Sequence, residues 1–167
     1  MKKISFALLA LALSYAGMAQ NYWAAHTGDL SKIATDKAVA RQSFPKEFKL
    51  FNLNDASLRQ QLFTVVDGAA RHTTIIAIPN AYGQMEEFSI VEASNFEPAL
   101  QAQFPQIRAF SGRGITDPSA MLKLSYSPGG IKTMVLRAAN EAEYIEPFSA
   151  DHQVYAVFKP QANKGNL

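Results

Sequence analysis

Apolar residues recur in this chain with a period of two, in short runs that turn residues repeatedly cut off. Ala120, Leu122, Leu124 and Tyr126 alternate with Met121, Lys123 and Ser125, the pattern of a strand buried on one face. Ser127-Pro128-Gly129-Gly130 then reverses the chain, and 131–137 returns it. The same grammar runs from Lys46 to Lys159. Phe48, Leu50 and Asn52 alternate with Lys49 and Phe51 in a first strand. Thr73 to Ile78 is β-branched and apolar, which fits a buried strand. Pro79-Asn80-Ala81-Tyr82-Gly83 turns into a strand carrying Phe88 and Ile90, making a hairpin. Ile107–Ser111, Glu143–Phe148 and Gln153–Lys159 complete the set. Turns every 8–12 residues predict a mainly β domain, an antiparallel β-sandwich or open barrel of about seven or eight short strands. Parallel crossovers are excluded because no long connecting helix is available.

One or two short helices are expected. Asn54 can cap one with Leu58 and Leu62 a turn apart on one face. Glu97-Pro98 opens another, with Leu100 and Phe104 assigned to its inner face and Pro105 as its stop. A third helical spacing, Leu30, Ile33, Ala34, Lys37 and Ala38, lies in the 29–40 stretch. Asp67-Gly68 marks a turn.

The first nineteen residues read differently. Lys2 and Lys3 precede an apolar stretch from Ile4 to Ala16, and Gly17-Met18-Ala19 offers small residues for cleavage between Ala19 and Gln20. This is the layout of a secretory signal peptide. The stretch is shorter than the ~20 residues that span a bilayer, so no membrane anchor is expected, and without cysteine there is no lipid attachment site. The resulting division is signal peptide 1–19, a loosely structured segment 20–45, a β-rich domain 46–160 and a frayed tail 161–167. The mature protein is expected to be secreted or periplasmic. Tyr22 and Trp23 stand out in the loose segment, and packing on the domain is the expectation for both.

Charge and cysteine content exclude several functions. Removing Lys2 and Lys3 leaves 14 basic residues against 14 acidic ones, and no basic run remains to form a nucleic-acid face. With no cysteine there are no disulfides and no thiolate metal sites. At 48% hydrophobic and 18% charged the chain is too apolar for a disordered segment.

No catalytic constellation is visible. His26, His72 and His152 lie far apart in sequence and match no metal-ligand spacing. Gly112-Arg113-Gly114 lacks the third glycine of a dinucleotide loop, so a bulge or tight turn with positive φ is the expectation there. Glu86 and Glu87 are adjacent, so a strand sends them to opposite faces and they make no acid–base pair. Glu141, Glu143 and Glu146 are expected on a solvated face. No catalytic, cofactor-binding or metal residue is assigned, and the chain is expected not to be an enzyme.

A set of short segments in fixed order adds to this. Ile78-Pro79-Asn80-Ala81-Tyr82-Gly83-Gln84-Met85-Glu86-Glu87-Phe88 is followed by Val91-Glu92-Ala93-Ser94, Pro98-Ala99-Leu100 and Phe104-Pro105-Gln106-Ile107. Ser111-Gly112-Arg113-Gly114-Ile115, Asp117-Pro118-Ser119-Ala120, Ser127-Pro128-Gly129-Gly130 and Tyr144-Ile145-Glu146-Pro147-Phe148 come next. The order resembles the N-terminal propeptide of secreted bacterial zinc metallopeptidases of the reprolysin (adamalysin-like) group, across Lys46 to Lys159. The chain departs from that pattern at Gly129-Gly130-Ile131 and at Glu146, where an aspartate is common. The resemblance implies a module that assists folding of a zinc metallopeptidase, in cis or in trans, and keeps it latent. The protease signature H-E-x-x-H is absent from these residues, and the absence of cysteine removes a cysteine–zinc switch. Asp151 and His152 are the alternative ligands such a switch would have, steric occlusion being the other route. A free-standing exported binding module for an envelope or glycan partner is the competing expectation, with Tyr22 and Trp23 as its contact residues.

Overall fold

The structure, a computed structural model, describes residues 22–35, 45–66, 72–138 and 141–160. The signal peptide and its cleavage site at Ala19 and Gln20, the Asp67-Gly68 turn, the helical spacing beyond residue 35 and the tail 161–167 lie outside the described residues.

The chain is mainly β, as its alternation predicts. Nine strands form one antiparallel, nearly closed barrel-like sheet. They are β1 (Trp23–Ala25), β2 (Lys49–Leu53), β3 (Thr74–Pro79), β4 (Met85–Glu92), β5 (Arg108–Gly114), β6 (Met121–Ser127), β7 (Gly130–Leu136), β8 (Ala142–Pro147) and β9 (Val154–Phe158). Strands β3 to β9 follow one another as an up-and-down meander. Strand β2 then adds beside β9, and β1 beside β2. The two edges are therefore β1 and β3.

Register follows the apolar phase. Phe88 and Ile90 on β4, Phe110 on β5, Leu122, Leu124 and Tyr126 on β6, Ile131 and Val135 on β7 and Ile145 on β8 are all buried, and their alternating neighbours are not. A one-residue slip would turn each row outward, so burial fixes the pairing. Strand β9 differs: Val154, Tyr155, Ala156 and Val157 are all buried. Its outer face is covered. The rings of Phe48 and Phe148 stand 5.6 Å apart, and Ala150 N–H donates to the Ala34 carbonyl, tying the N-terminal segment to the β8–β9 turn.

Helix α1 (Asp55–Leu62) is capped by the Asn54 side chain, which accepts from Ser57 N–H at 3.1 Å. Its Leu58 and Leu62 are fully buried in the same core as the strands. Beside this end of the barrel the Tyr126 hydroxyl donates to Asp55 at 3.0 Å.

Several local expectations change. Trp23–Ala25, within the segment read as loose, pair with Phe51–Leu53, and Tyr22 and Trp23 are buried as expected. Gly112 and Gly114 are neither turn nor bulge. They continue β5 without positive φ, opposite Ile90 and Phe88. The reason for glycine is space: a Cβ on Gly112 would meet Ile90 Cγ2 at 2.7 Å, and one on Gly114 would collide with the Asp117 carbonyl. Positive φ is needed instead at the β6–β7 turn, where Gly130 has φ of 90° and leaves room for the Tyr155 hydroxyl. Helix α2 (Pro98–Gln103) buries none of its residues, so Leu100 and Phe104 are not on an inner face.

Burial pushes the Tyr155 phenol up to about 12, and burial beside the Asp55 carboxylate does the same for Tyr126. Both phenols are raised in the folded chain, so their contribution to stability is complete below the ordinary value of 10 and is lost as pH climbs from there towards 12. Absorbance at 295 nm should show these two tyrosines ionising last, together with loss of β ellipticity. Ionisation of every tyrosine near pH 10 with the fold intact would contradict this.

Candidate functional site

The apolar phase that fills the barrel turns charged at one end. Glu86 continues the row of Phe88 and Ile90 on β4, Arg137 follows Ile131, Thr133 and Val135 after β7, and Glu143 precedes Ile145 on β8. Lys159 extends the row of Tyr155 and Val157 beyond β9. The β3–β4 turn brings Asn80 to this mouth, and the β5–β6 loop brings Asp117.

Arg137 is the hub. Its Nη2 donates to Glu86 Oε2 at 2.6 Å, Nη1 to Asp117 Oδ2 at 3.0 Å and Nε to Glu143 Oε1 at 3.2 Å. One guanidinium thus ties β4, β7, β8 and the β5–β6 loop. Burial opposes its charge, but the bonds to Glu86 and Glu143 outweigh that and raise its pKa further. Glu143 also accepts from Ala81 N–H at 3.1 Å, and Asn80 donates to Glu86 Oε1 at 2.8 Å while its own Oδ1 accepts from the N–H groups of Tyr82 and Gln84. Lys159 bonds Glu141 at 2.8 Å and the Tyr82 hydroxyl at 2.9 Å, and its charge lies over the Tyr82 ring. These bonds hold the Lys159 pKa above its usual value, with Glu141 first among the causes.

Outside the mouth, a groove of about 880 Å³ runs between the Tyr82 turn and the start of β2, lined by Phe48, Lys49, Phe158 and Lys159. A second, of about 560 Å³, separates α2 from the paired Arg108 and Glu92. Around α2, Phe96, Leu100 and Phe104 follow one another at four-residue spacing, and each is 41–42% exposed. The excursion that carries them is pinned by Ala93 N–H to the Ala109 carbonyl and by the Gln101 amide to the carbonyls of Phe104 and Ile107. It carries three exposed large apolar side chains on a hydrogen-bonded excursion.

Chemically, the mouth is a clamp. Each carboxylate bonded to Arg137 accepts a charged hydrogen bond. Glu143 is not on the solvated face expected for it: it is 3% exposed. Glu86 turns inward to Arg137, while Glu87 is exposed on the other face, the opposition their adjacency predicts. The three histidines stay apart. His26 bonds Asn52 at 3.0 Å, His72 is exposed before β3, and His152 occupies the β8–β9 turn with φ of 56°. Asp151 is held low first by the Ser149 hydroxyl and then by Gln153 N–H, so its carboxylate is engaged in that turn. Among the described residues, no group of three or more histidine, aspartate or glutamate side chains is placed to hold a metal. No helix among them is long and apolar enough to cross a membrane.

Arg137 was missed in the sequence. The signal was there: an arginine in the buried phase of a strand, with glutamates in the buried phases of two others.

No protein-family model matches the chain, and neither a curated protein nor a solved structure matches it significantly.

Proposed function

We propose that this chain is an exported, non-catalytic, prodomain-like module. It assists the folding of a zinc metallopeptidase and keeps it latent, in cis or in trans, with the catalytic part supplied by other residues. The observation that carries the reading is the pairing of a satisfied charged mouth with an unsatisfied apolar surface. The buried carboxylates are consumed in structure, which leaves binding as the available role. Phe96, Leu100 and Phe104 stay in contact with water although the excursion bearing them is pinned. Exposed large apolar side chains are the usual anchors of an interface. The ordered segments resembling a reprolysin-type propeptide supply the class of partner. They run from the β3–β4 hairpin to β8 and include α2.

The test is inhibition of the zinc metallopeptidase encoded in continuity with, or beside, this chain. The purified chain should lower its activity. Leu100→Asp with Phe104→Ser should weaken inhibition by about 30-fold or more, on the order of 2 kcal/mol, with an unchanged melting temperature. Full protease activity at a large molar excess of the unaltered chain would refute the proposal. The competing module for a glycan or envelope partner loses its expected contact residues, since Tyr22 and Trp23 are buried.

A further inference from the structure

The edge strand β3 has an unusual character for an edge. Exposed edges are ordinarily shortened, charged, bulged or covered, because their unpaired backbone groups invite another strand. The opposite edge follows this rule: β1 has three residues. Strand β3 has six, Thr-Ile-Ile-Ala-Ile-Pro, with no charge, and its register with β4 runs unbroken from Thr74↔Ile90 to Pro79↔Met85. Its outward Ile75 is 52% exposed.

The direction of its free groups can be read from the turn. Asn80 N–H donates to the Gln84 carbonyl at 2.8 Å, so residue 80 faces β4. In an antiparallel ladder the facing alternates. Residues 78, 76 and 74 therefore bond to β4, and 75, 77 and 79 point their backbone groups away from it. Proline at 79 fits, since that position has no ladder bond to donate. Helix α1 reaches β3 through the Gln61 amide on the Thr74 hydroxyl. No backbone bond to the outer groups of Ile75 or Ala77 occurs among the described residues.

We propose that this edge pairs with the β3 edge of a second copy of the chain, antiparallel about a two-fold axis through Ile76. The self-complementarity of the strand selects this occupant. In that register Ile75 lies opposite Ala77 of the other copy, and Ala77 opposite its Ile75. Each large exposed side chain is set beside a small one, twice. The outward N–H and C=O groups of both residues meet their counterparts in four hydrogen bonds. No charge lies between Thr73 and Pro79, so no like charges are opposed. The inference is independent of the proposed protease partner.

The natural absence of cysteine makes the test clean. Directly opposed residues that exchange hydrogen bonds have Cα atoms about 5.5 Å apart, within disulfide range. Mixing Ile75→Cys with Ala77→Cys under mild oxidation should give a 75–77 disulfide between copies. Either variant alone should cross-link at least tenfold less. Sedimentation of the unaltered full chain should show the mass doubling between about 1 and 500 µM, a range in which strand pairing of modest area associates. Ile75→Lys should abolish the doubling without lowering the melting temperature. A chain that stays monomeric at 500 µM overturns the proposal and leaves the edge to a foreign strand. A dimer that survives Ile75→Lys, or a mixture that cross-links no better than the single variants, overturns it as well.

Discussion

Arg137→Met should be among the most destabilising single substitutions in this domain, lowering stability by about 3–5 kcal/mol and the melting temperature by on the order of 10 °C. The substitution keeps an unbranched aliphatic stem that ends about where Nε stood, and it removes the charge and the donors. Glu86, Asp117 and Glu143 then lose the cation that bonds all three, and only Glu143 keeps one nearby, Lys159. Lys159 is 3.8 Å from Glu143, too distant to replace three bonds. Desolvated carboxylates left unpaired cost more than the pair was worth, which is why deleting one partner exceeds deleting both. Adding Glu143→Gln to Arg137→Met should therefore recover part of the loss. Arg137→Lys should recover little, because one ammonium cannot serve carboxylates on three sides.

The pH dependence should change sign. In the natural chain the Asp117 carboxylate is held low, first by the Ser119 hydroxyl and backbone N–H and then by Arg137, and Glu141 is held low by Lys159. Their stabilisation is present above the ordinary carboxylate range and is lost as acid protonates them below about pH 4. In Arg137→Met the clustered carboxylates repel, so mild acid should stabilise the variant between pH 7 and 5. Urea midpoints across that range measure it. A variant that loses no stability at pH 7 would mean the mouth does not hold the barrel together.

Arg137 also marks where the sequence was legible and where it was not. The strands were legible because burial on one face imposes a period of two, and Ala120 to Tyr126 displays it without interruption. The Asn54 cap was legible because its chemistry is local. The charged mouth depends on which strand ends meet, and that follows from topology. Still, its members share one property readable in advance: Glu86, Arg137 and Glu143 each occupy the phase of their strand that elsewhere holds Phe, Ile or Val. A charge in a buried phase needs a partner, and opposite signs in the buried phases of other strands supply one, on adjacent β8 for Glu143 and across the barrel on β4 for Glu86. Treating 141–146 as one acidic stretch obscured that, because Glu143 and Glu146 stand on opposite faces of β8.

The glycines of β5 failed for a related reason. Gly112 and Gly114 serve close approach between elements, and nothing local separates that use from a turn. Strand β1 is too short to show any period. It exists because the edge of β2 offers Phe51 and Leu53 for pairing. Leu100 and Phe104 have the right helical spacing, and the error lay in supposing that a spaced apolar pair must face this chain's own core. Their spacing is equally what a helix shows when its cover comes from another polypeptide.

Trp23→Ala should be as costly as Arg137→Met, about 3–5 kcal/mol, the range for emptying a large aromatic from a packed core. Trp23 is 2% exposed, and its ring meets Tyr155 edge-on at 5.4 Å. Tyr155 in turn accepts from Ile131 N–H at 3.3 Å and fits against Gly130. The tryptophan thus packs from β1, past β2, against Tyr155 of β9, whose hydroxyl reaches the β6–β7 turn. Alanine would leave a void against that tyrosine, and three residues of β1 pairing would not hold the strand in place. Two readouts separate this from loss of a binding residue. Tyr155 should ionise at a lower pH in the variant, as water reaches its phenol, and the amides of Trp23 to Ala25 should exchange faster while those of β5 and β6 keep their protection. Lost ligand capture with unchanged stability and an unchanged tyrosine titration would instead make Trp23 a surface contact, contrary to its burial. This distinction matters for interpreting any pull-down that uses Trp23→Ala, since a partly unfolded edge would also fail to bind.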